Sequence, residues 1–211
     1  MPIIETHKLA LFLTASLVLA STPGPGMLYV LSRTLAGGKR EGILSSLGTF
    51  CGGLIHVVAA AAGLSVVLAT SALAFSVVKY VGAGYLIYLG VKMFVGAKHD
   101  LAGEDVAQVP KGSAFVQGML TEILNPKTAL FFLSFIPQFV SRQGAHVFAG
   151  FIVLGLISVT LNTAGDVVAI LLAAPLKQLF TRSRRAQVTQ RRGSGLAMIA
   201  LGSYVAVSDS R

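Results

Sequence analysis

Apolar residues run along this chain in long blocks rather than in alternation. Residues 9–32 carry no charged side chain, and residues 42–91 carry one, Lys79. A helix needs about 20 mostly apolar residues to cross a bilayer. The first block therefore predicts one spanning helix. The second is too long for one and predicts two, 42–68 and 75–95, with a turn near 69–76. Lys98, Asp100, Glu104, Asp105 and Lys111 then crowd residues 96–113, which read as a solvated loop. Three more apolar blocks follow at 114–136, 147–173 and 193–207. Pro137 and Arg142 mark the short connection between the first two of these, and a basic segment, 177–192, precedes the last. The last block is short for a span, and it crosses if Arg191 and Arg192 snorkel or the bilayer thins. The predicted fold class is an all-α membrane protein: six transmembrane helices in a single membrane domain over 1–211.

Composition agrees with that pattern. Hydrophobic residues make up 54% of the chain and charged residues 12%, with a mean hydropathy of +0.76. A soluble domain carries about 25% charged residues, and a soluble fold of this size has no place to hide so much apolar surface. The net charge of +9 does not imply a nucleic-acid partner, because the positive side chains lie in short loops between apolar blocks. The first, third and fifth loops hold 12 of the 17 lysines and arginines, from Arg33, Lys39 and Arg40 to Arg191 and Arg192. The positive-inside rule makes these loops cytoplasmic and turns both termini outward. A rival reading treats 9–20 as the core of a cleaved signal peptide ending at Val18-Leu19-Ala20. Glu5 weakens its positive flank, and the apolar run continues past Ala20. Cys51 is the one cysteine, so no disulfide forms within the chain. No Cys/His cluster has metal-ligand spacing, no nucleotide-binding loop of Walker type is present, and no cofactor is expected.

Six spans divide into three and three, 9–95 and 114–208, and an odd number per half turns the halves upside down relative to each other. Transporters built from two inverted repeats interrupt a helix at matching places in each half. Here the first span contains Thr22-Pro23-Gly24-Pro25-Gly26 and the fourth contains Leu124-Asn125-Pro126-Lys127. Proline lacks an N–H and clashes with the carbonyl one turn back, so both spans should unwind locally. In hydrocarbon the freed backbone groups need partners, which places such breaks at a protein-lined cavity. Pro23, Gly24, Pro25, Asn125, Pro126 and Lys127 are therefore candidate substrate contacts. A kink serving helix packing alone is the other reading.

At these motifs the chain resembles the LysE/RhtB family of amino-acid exporters. Residues 79–90, KYVGAGYLIYLG, are similar to that family's third helix, and the spacing of Gly195 and Gly202 resembles its last. The resemblance covers essentially the whole chain. It implies a bacterial inner-membrane exporter of amino acids or their derivatives, driven by the proton motive force, with both proline motifs at the translocation site. Gly26 departs from the pattern, standing where many relatives carry a polar residue.

Ionisable groups inside spans are costly and usually functional. Glu122 and Lys127 lie near the middle of the fourth span. Either Lys127 receives a substrate carboxylate and Glu122 an amino group or a proton, or the two form a neutralising ion pair. In the fifth span Ser158, Asn162 and Asp166 recur every four residues and share one helix face, with Thr163 beside them. Asn162 is a further substrate-contact candidate and Asp166 the leading proton-coupling carboxylate, unless Asn162 and Thr163 merely satisfy it. His56 is either a proton relay or a buried ring held by a neighbour. The GxxxG run Gly48–Gly52 allows close helix packing, within one protomer or in a homodimer. Two other functions compete with transport. An intramembrane enzyme would use Asp166, Glu122 and His56, although no serine or cysteine nucleophile with a paired base is evident. A membrane scaffold would have no polar cavity.

Overall fold

The computed structural model describes residues 6–70, 72–96, 112–140, 147–173 and 184–207. Among these, every regular element is helical. In chain order, α1 is Thr6–Ser21, α2 Pro25–Thr70, α3 Ala72–Gly96, α4 Ala114–Ile123, α5 Pro126–Leu130, α6 Val147–Leu171 and α7 Arg184–Val207. Most of the charged loop expected at 96–113, the connection bearing Arg142, residues 177–183 and the chain ends lie outside the described residues. Among the described residues, two stretches are long and apolar enough to cross a membrane, Pro25–Gly63 and Val147–Leu171. The pair Ala114–Ile123 and Pro126–Gln138, bent by 43°, adds a third when the two are taken as one span. Large apolar side chains such as Leu17, Ile43, Leu47, Val58, Tyr80 and Leu156 face outward, as they do where lipid rather than water is the outer solvent.

The expected break in the first span is present, and its C-terminal part differs from expectation. No extended loop separates the first span from the second. Helix continues to Gly37 and resumes at Lys39, with a sharp reversal at Gly38, where φ is 81°. That left-handed value suits glycine alone. Thr34 and Gly42, about 12 Å apart in a straight helix, are in contact across the reversal.

Arg33, expected in a solvated loop, is buried. Its Nε donates to the Tyr29 hydroxyl at 2.9 Å. One Nη donates to the Gly112 carbonyl and the Gln117 side chain, both at 2.9 Å. The other pairs with Glu41 at 3.5 Å across the reversal. A guanidinium presents five N–H donors in a fixed fork, and here it ties both arms of α2 to the start of α4.

Close packing relies on missing side chains. A Cβ on Gly48 would strike the Phe115 carbonyl of α4, and one on Gly52 would lie 2.7 Å from the Met119 carbonyl. The GxxxG run therefore works inside the protomer, between α2 and α4. Gly90 of α3 and Gly195 of α7 meet reciprocally: a Cβ on either would stand 2.5 Å from the other's carbonyl oxygen. The last helix is longer than its apolar block because it begins within the basic segment at Arg184, whose arginine, alanine and glutamine residues favour helix. Arg192 lies over the Phe94 ring at 5.5 Å.

Pro137 cannot donate to the carbonyl of Leu133, four residues back. The chain passes this point as a π turn, Phe131–Phe135, and a 3-10 turn, Ile136–Gln138. The π turn gathers Phe131 and Phe135 against Phe139 and against Phe12 of α1. Ring centroids are 4.9 Å apart for Phe131–Phe135, 4.7 Å for Phe135–Phe139 and 5.3 Å for Phe12–Phe139. The segment weighed as a signal-peptide core is thus packed into the interior.

Gly48→Val should force α2 and α4 apart and lower stability by about 1–3 kcal/mol or more. Gly63→Ala, where a Cβ meets nothing within 4 Å, should not lower it and should add about 0.5–1 kcal/mol through helix propensity. Thermal midpoints of the two variants in detergent check this, and equal midpoints would contradict the packing described.

Candidate functional site

Both proline motifs end one helix and start another. α1 stops at Ser21 and α2 starts at Pro25. α4 stops at Ile123 and α5 starts at Pro126, capped by the Asn125 side chain, which accepts from the Lys127 N–H at 3.1 Å. Proline suits the first helical position, where its missing N–H is not needed. Pro25 and Pro126 are themselves exposed and act through the backbone they interrupt.

The two breaks meet. The Lys127 ammonium donates to the carbonyls of Thr22 at 2.9 Å and Leu19 at 3.2 Å. It thus caps the C-terminal end of α1, where the helix dipole favours a cation. Carbonyls freed by the break are thus occupied by the protein's own ammonium. Gly24 makes room for this: a Cβ there would stand 2.9 Å from Lys127 Cε. An ammonium has three protons, so one remains beyond these two bonds.

Glu122 does not form the ion pair with Lys127 weighed from the sequence. Its Oε1 accepts from the Thr128 hydroxyl at 2.5 Å, and its Oε2 accepts from Asn125 Nδ2 at 3.0 Å. Oε2 also lies against Gly26, where any Cβ would collide with it. The space beside that backbone is filled by a carboxylate from the other half, placed at the N-terminal end of α2, where the dipole favours an anion.

His56 Nε2 is 3.0 Å from the Glu122 carbonyl, at the end of α4, and its ring stacks on Phe132 with centroids 5.9 Å apart. His56 is thus held by neighbours. Four helix ends therefore converge, attended by Lys127, Glu122, His56 and Asn125.

Between the ends and α6 lies a cavity of about 20 Å³. Glu122, Asn125, Lys127, Asn162 and Asp166 line it, with Thr49, Thr128 and Thr163 beside them. Ala20, Met27, Gly53 and Val159 form its apolar wall. The volume admits about one water molecule, so the site as it stands has room for less than an amino acid. Asp166 accepts from Thr49 Oγ1 at 2.9 Å. Thr163, weighed as its partner, donates instead to the Val159 carbonyl at 2.9 Å. Ser158, first of the polar stripe, is buried outside the cavity lining. Pro23, Gly24 and Pro25 shape the α1 break without lining the cavity. Sequence reasoning missed Thr49 and Met27. Thr49 sits inside the GxxxG run, whose glycines drew the attention, yet it shares a helix face with Gly53 and His56 at spacings of four and three.

The LysE type translocator family matches residues 17–209. The uncharacterized membrane protein YrhP of Bacillus subtilis is 37% identical over 148 residues, covering 65% of this chain and 70% of that one. The leucine efflux protein of Salmonella typhimurium is 34% identical over 146 residues, covering 68% of each. No solved structure matches.

Lys127→Met keeps much of the side-chain length and removes the donor, leaving the Thr22 carbonyl without its cross-break partner. A buried polar group left unsatisfied costs about 1–3 kcal/mol. A lower thermal midpoint is expected for this variant, and an unchanged one would show that the stitch between the breaks carries no stability.

Proposed function

This chain belongs to the LysE type translocator family, and from that premise we propose that it is a secondary exporter. Its substrates are amino acids or close derivatives, with apolar side chains of leucine type first among them, and the proton motive force of the bacterial inner membrane drives it. The observation that carries the reading is the cavity at the meeting of two broken helices, which holds one ammonium, two carboxyl groups and an apolar wall. The third proton of Lys127, with the amides of Asn125 and Asn162, suits a substrate carboxylate. Asp166 suits its ammonium. Ala20, Met27 and Val159 suit an aliphatic side chain.

Charge supports a coupled proton. With Lys127, Glu122 and Asp166 all ionised, the cavity is one negative charge out of balance. A zwitterionic amino acid adds none, whereas one proton on a carboxyl group restores neutrality. Uncompensated charge away from water is expensive, so the empty cavity favours a proton on Asp166, and a substrate ammonium at that carboxylate displaces it, the exchange that export against an inward proton flow requires. Asp166 is the leading carrier, because Glu122 is already tied by Thr128 and Asn125.

The helix contacts favour six spans in two inverted three-helix repeats. Gly165 of α6 lies against the Ala20 carbonyl of α1, Gly48 of α2 against Phe115 of α4, and Gly90 of α3 against Gly195 of α7. Exchanging the halves turns the first of these contacts into the second and maps the third onto itself.

Cells carrying the protein should withstand growth-inhibiting excess leucine or leucine dipeptide better than cells without it, and Lys127→Ala should abolish the protection. In vesicles with an imposed pH gradient, Asp166→Asn should cut gradient-driven leucine transport by about tenfold or more. Normal gradient-driven transport in Asp166→Asn would remove that residue from the proton step. Turnover of a solute by detergent-purified protein, with no second compartment, would favour an enzyme instead.

Both termini are placed outside on the distribution of lysine and arginine. Cysteines introduced at Gly103 and Ser183 should then resist impermeant thiol reagents in intact cells, and labelling of both from outside would reverse the orientation.

A further inference from the structure

The Thr49 hydroxyl has more acceptors than protons. Its Oγ1 lies 2.9 Å from the Ser46 carbonyl, one turn back on α2, and 2.9 Å from Asp166 Oδ2 on α6. A hydroxyl carries one proton. A carbonyl only accepts, and so does an ionised carboxylate. With Asp166 ionised, Thr49 can therefore satisfy one of these two contacts and not both. Both become hydrogen bonds together only when Asp166 brings a proton of its own: Asp166 donates to Thr49 Oγ1, and Thr49 turns its proton to Ser46. Thr49 and Asp166 are both buried and 117 residues apart in sequence, so this junction links the two halves of the chain.

We propose that Thr49 is the positioning residue of the proton step, its hydroxyl keeping Asp166 hydrogen-bonded in both charge states by reversing direction: it donates to the carboxylate and accepts from the carboxyl. Uptake of one proton by the Asp166 carboxylate, drawn from water on the side of higher proton concentration, forms one O–H bond and breaks none in the protein. It raises the number of hydrogen bonds at Thr49 from one to two. Release reverses the step and returns the proton to water on the other side. The bond between α2 and α6 is thus kept in both states, across the face that also carries Gly53 and Val159 of the cavity wall, and the protonated state adds the bond from Thr49 to Ser46 within α2. The ionised state leaves the carboxylate charge for a cation in the cavity. The other charged groups lining that cavity are Lys127 of α5 and Glu122 of α4, each bonded elsewhere.

The assignment rests on the proton-coupled reading, and one set of variants separates the two. Thr49→Val keeps the shape and removes the hydroxyl, and Thr49→Ser keeps the hydroxyl. In vesicles loaded with labelled leucine, Thr49→Val should lose gradient-driven transport by about tenfold and should flatten its dependence on pH. It should retain leucine–leucine exchange, which needs no net proton movement. Thr49→Ser should restore both drive and pH dependence. Loss of drive in Asp166→Asn with normal drive and pH profile in Thr49→Val would overturn the Thr49 assignment alone. Normal drive in Asp166→Asn would overturn the proton reading beneath it. Equal loss of exchange and drive in Thr49→Val, unrescued by serine, would make Thr49 a packing residue and also refute the proposal.

Discussion

Everything else in this structure depends on what becomes of the backbone where two helices are interrupted in an apolar interior. Each break frees carbonyls on one side and N–H groups on the other, and lipid offers them nothing. The chain answers with side chains from the opposite half. Lys127, two residues past one break, caps the helix that ends at the other. Glu122, just before its own break, stands beside the helix that begins at the other. The cation sits at a helix C-terminus and the anion at an N-terminus, the arrangement that the dipoles favour. Because each half satisfies the other, the breaks cannot drift apart without exposing unpaired groups, and the cavity between them follows from that constraint.

The same requirement explains why so few atoms remain for a solute. Two protons of Lys127 and both oxygens of Glu122 are spent on structure, leaving one ammonium proton, the amides of Asn125 and Asn162, and Asp166. That remainder matches the head of one amino acid and little more. The volume of about 20 Å³ is less than one amino acid occupies, so admission of a solute requires the walls to move apart.

The breaks, the polar stripe of α6 and the intramembrane charges were legible in the sequence because each violates the rule of its surroundings: proline within a span, charge within hydrocarbon. Partnership was not legible. Glu122 and Lys127, five residues apart, invited a pairing that the Pro126 break redirects, sending one to Thr128 and Asn125 and the other to α1. Arg33 looked solvated because basic residues at span ends usually are. It is buried because Gly38 folds α2 back on itself and brings Glu41, Gly112 and Gln117 within reach. Thr49 carried no signal of its own, since a threonine between two glycines reads as packing until Asp166 is seen against it.

The cavity lies between two unlike closures. From the α1 break back to Phe12 is roughly 15 Å of helix, and there Phe12, Phe131, Phe135 and Phe139 form an apolar clamp. From the start of α2 forward to Arg33 is about 12 Å, and there Arg33, Tyr29, Gln117 and Glu41 form a polar lock. Parting the clamp exposes four phenylalanine rings, each worth roughly 1.5–3 kcal/mol of burial. Parting the lock exposes groups that water can rebind, so the net cost of each lost hydrogen bond is about 0.5–1.5 kcal/mol. Arg33 lies on the basic side of the chain, the side that the distribution of lysine and arginine assigns to the cytoplasm. On the proposed orientation, the closure that opens at lower cost faces the compartment from which an exporter loads.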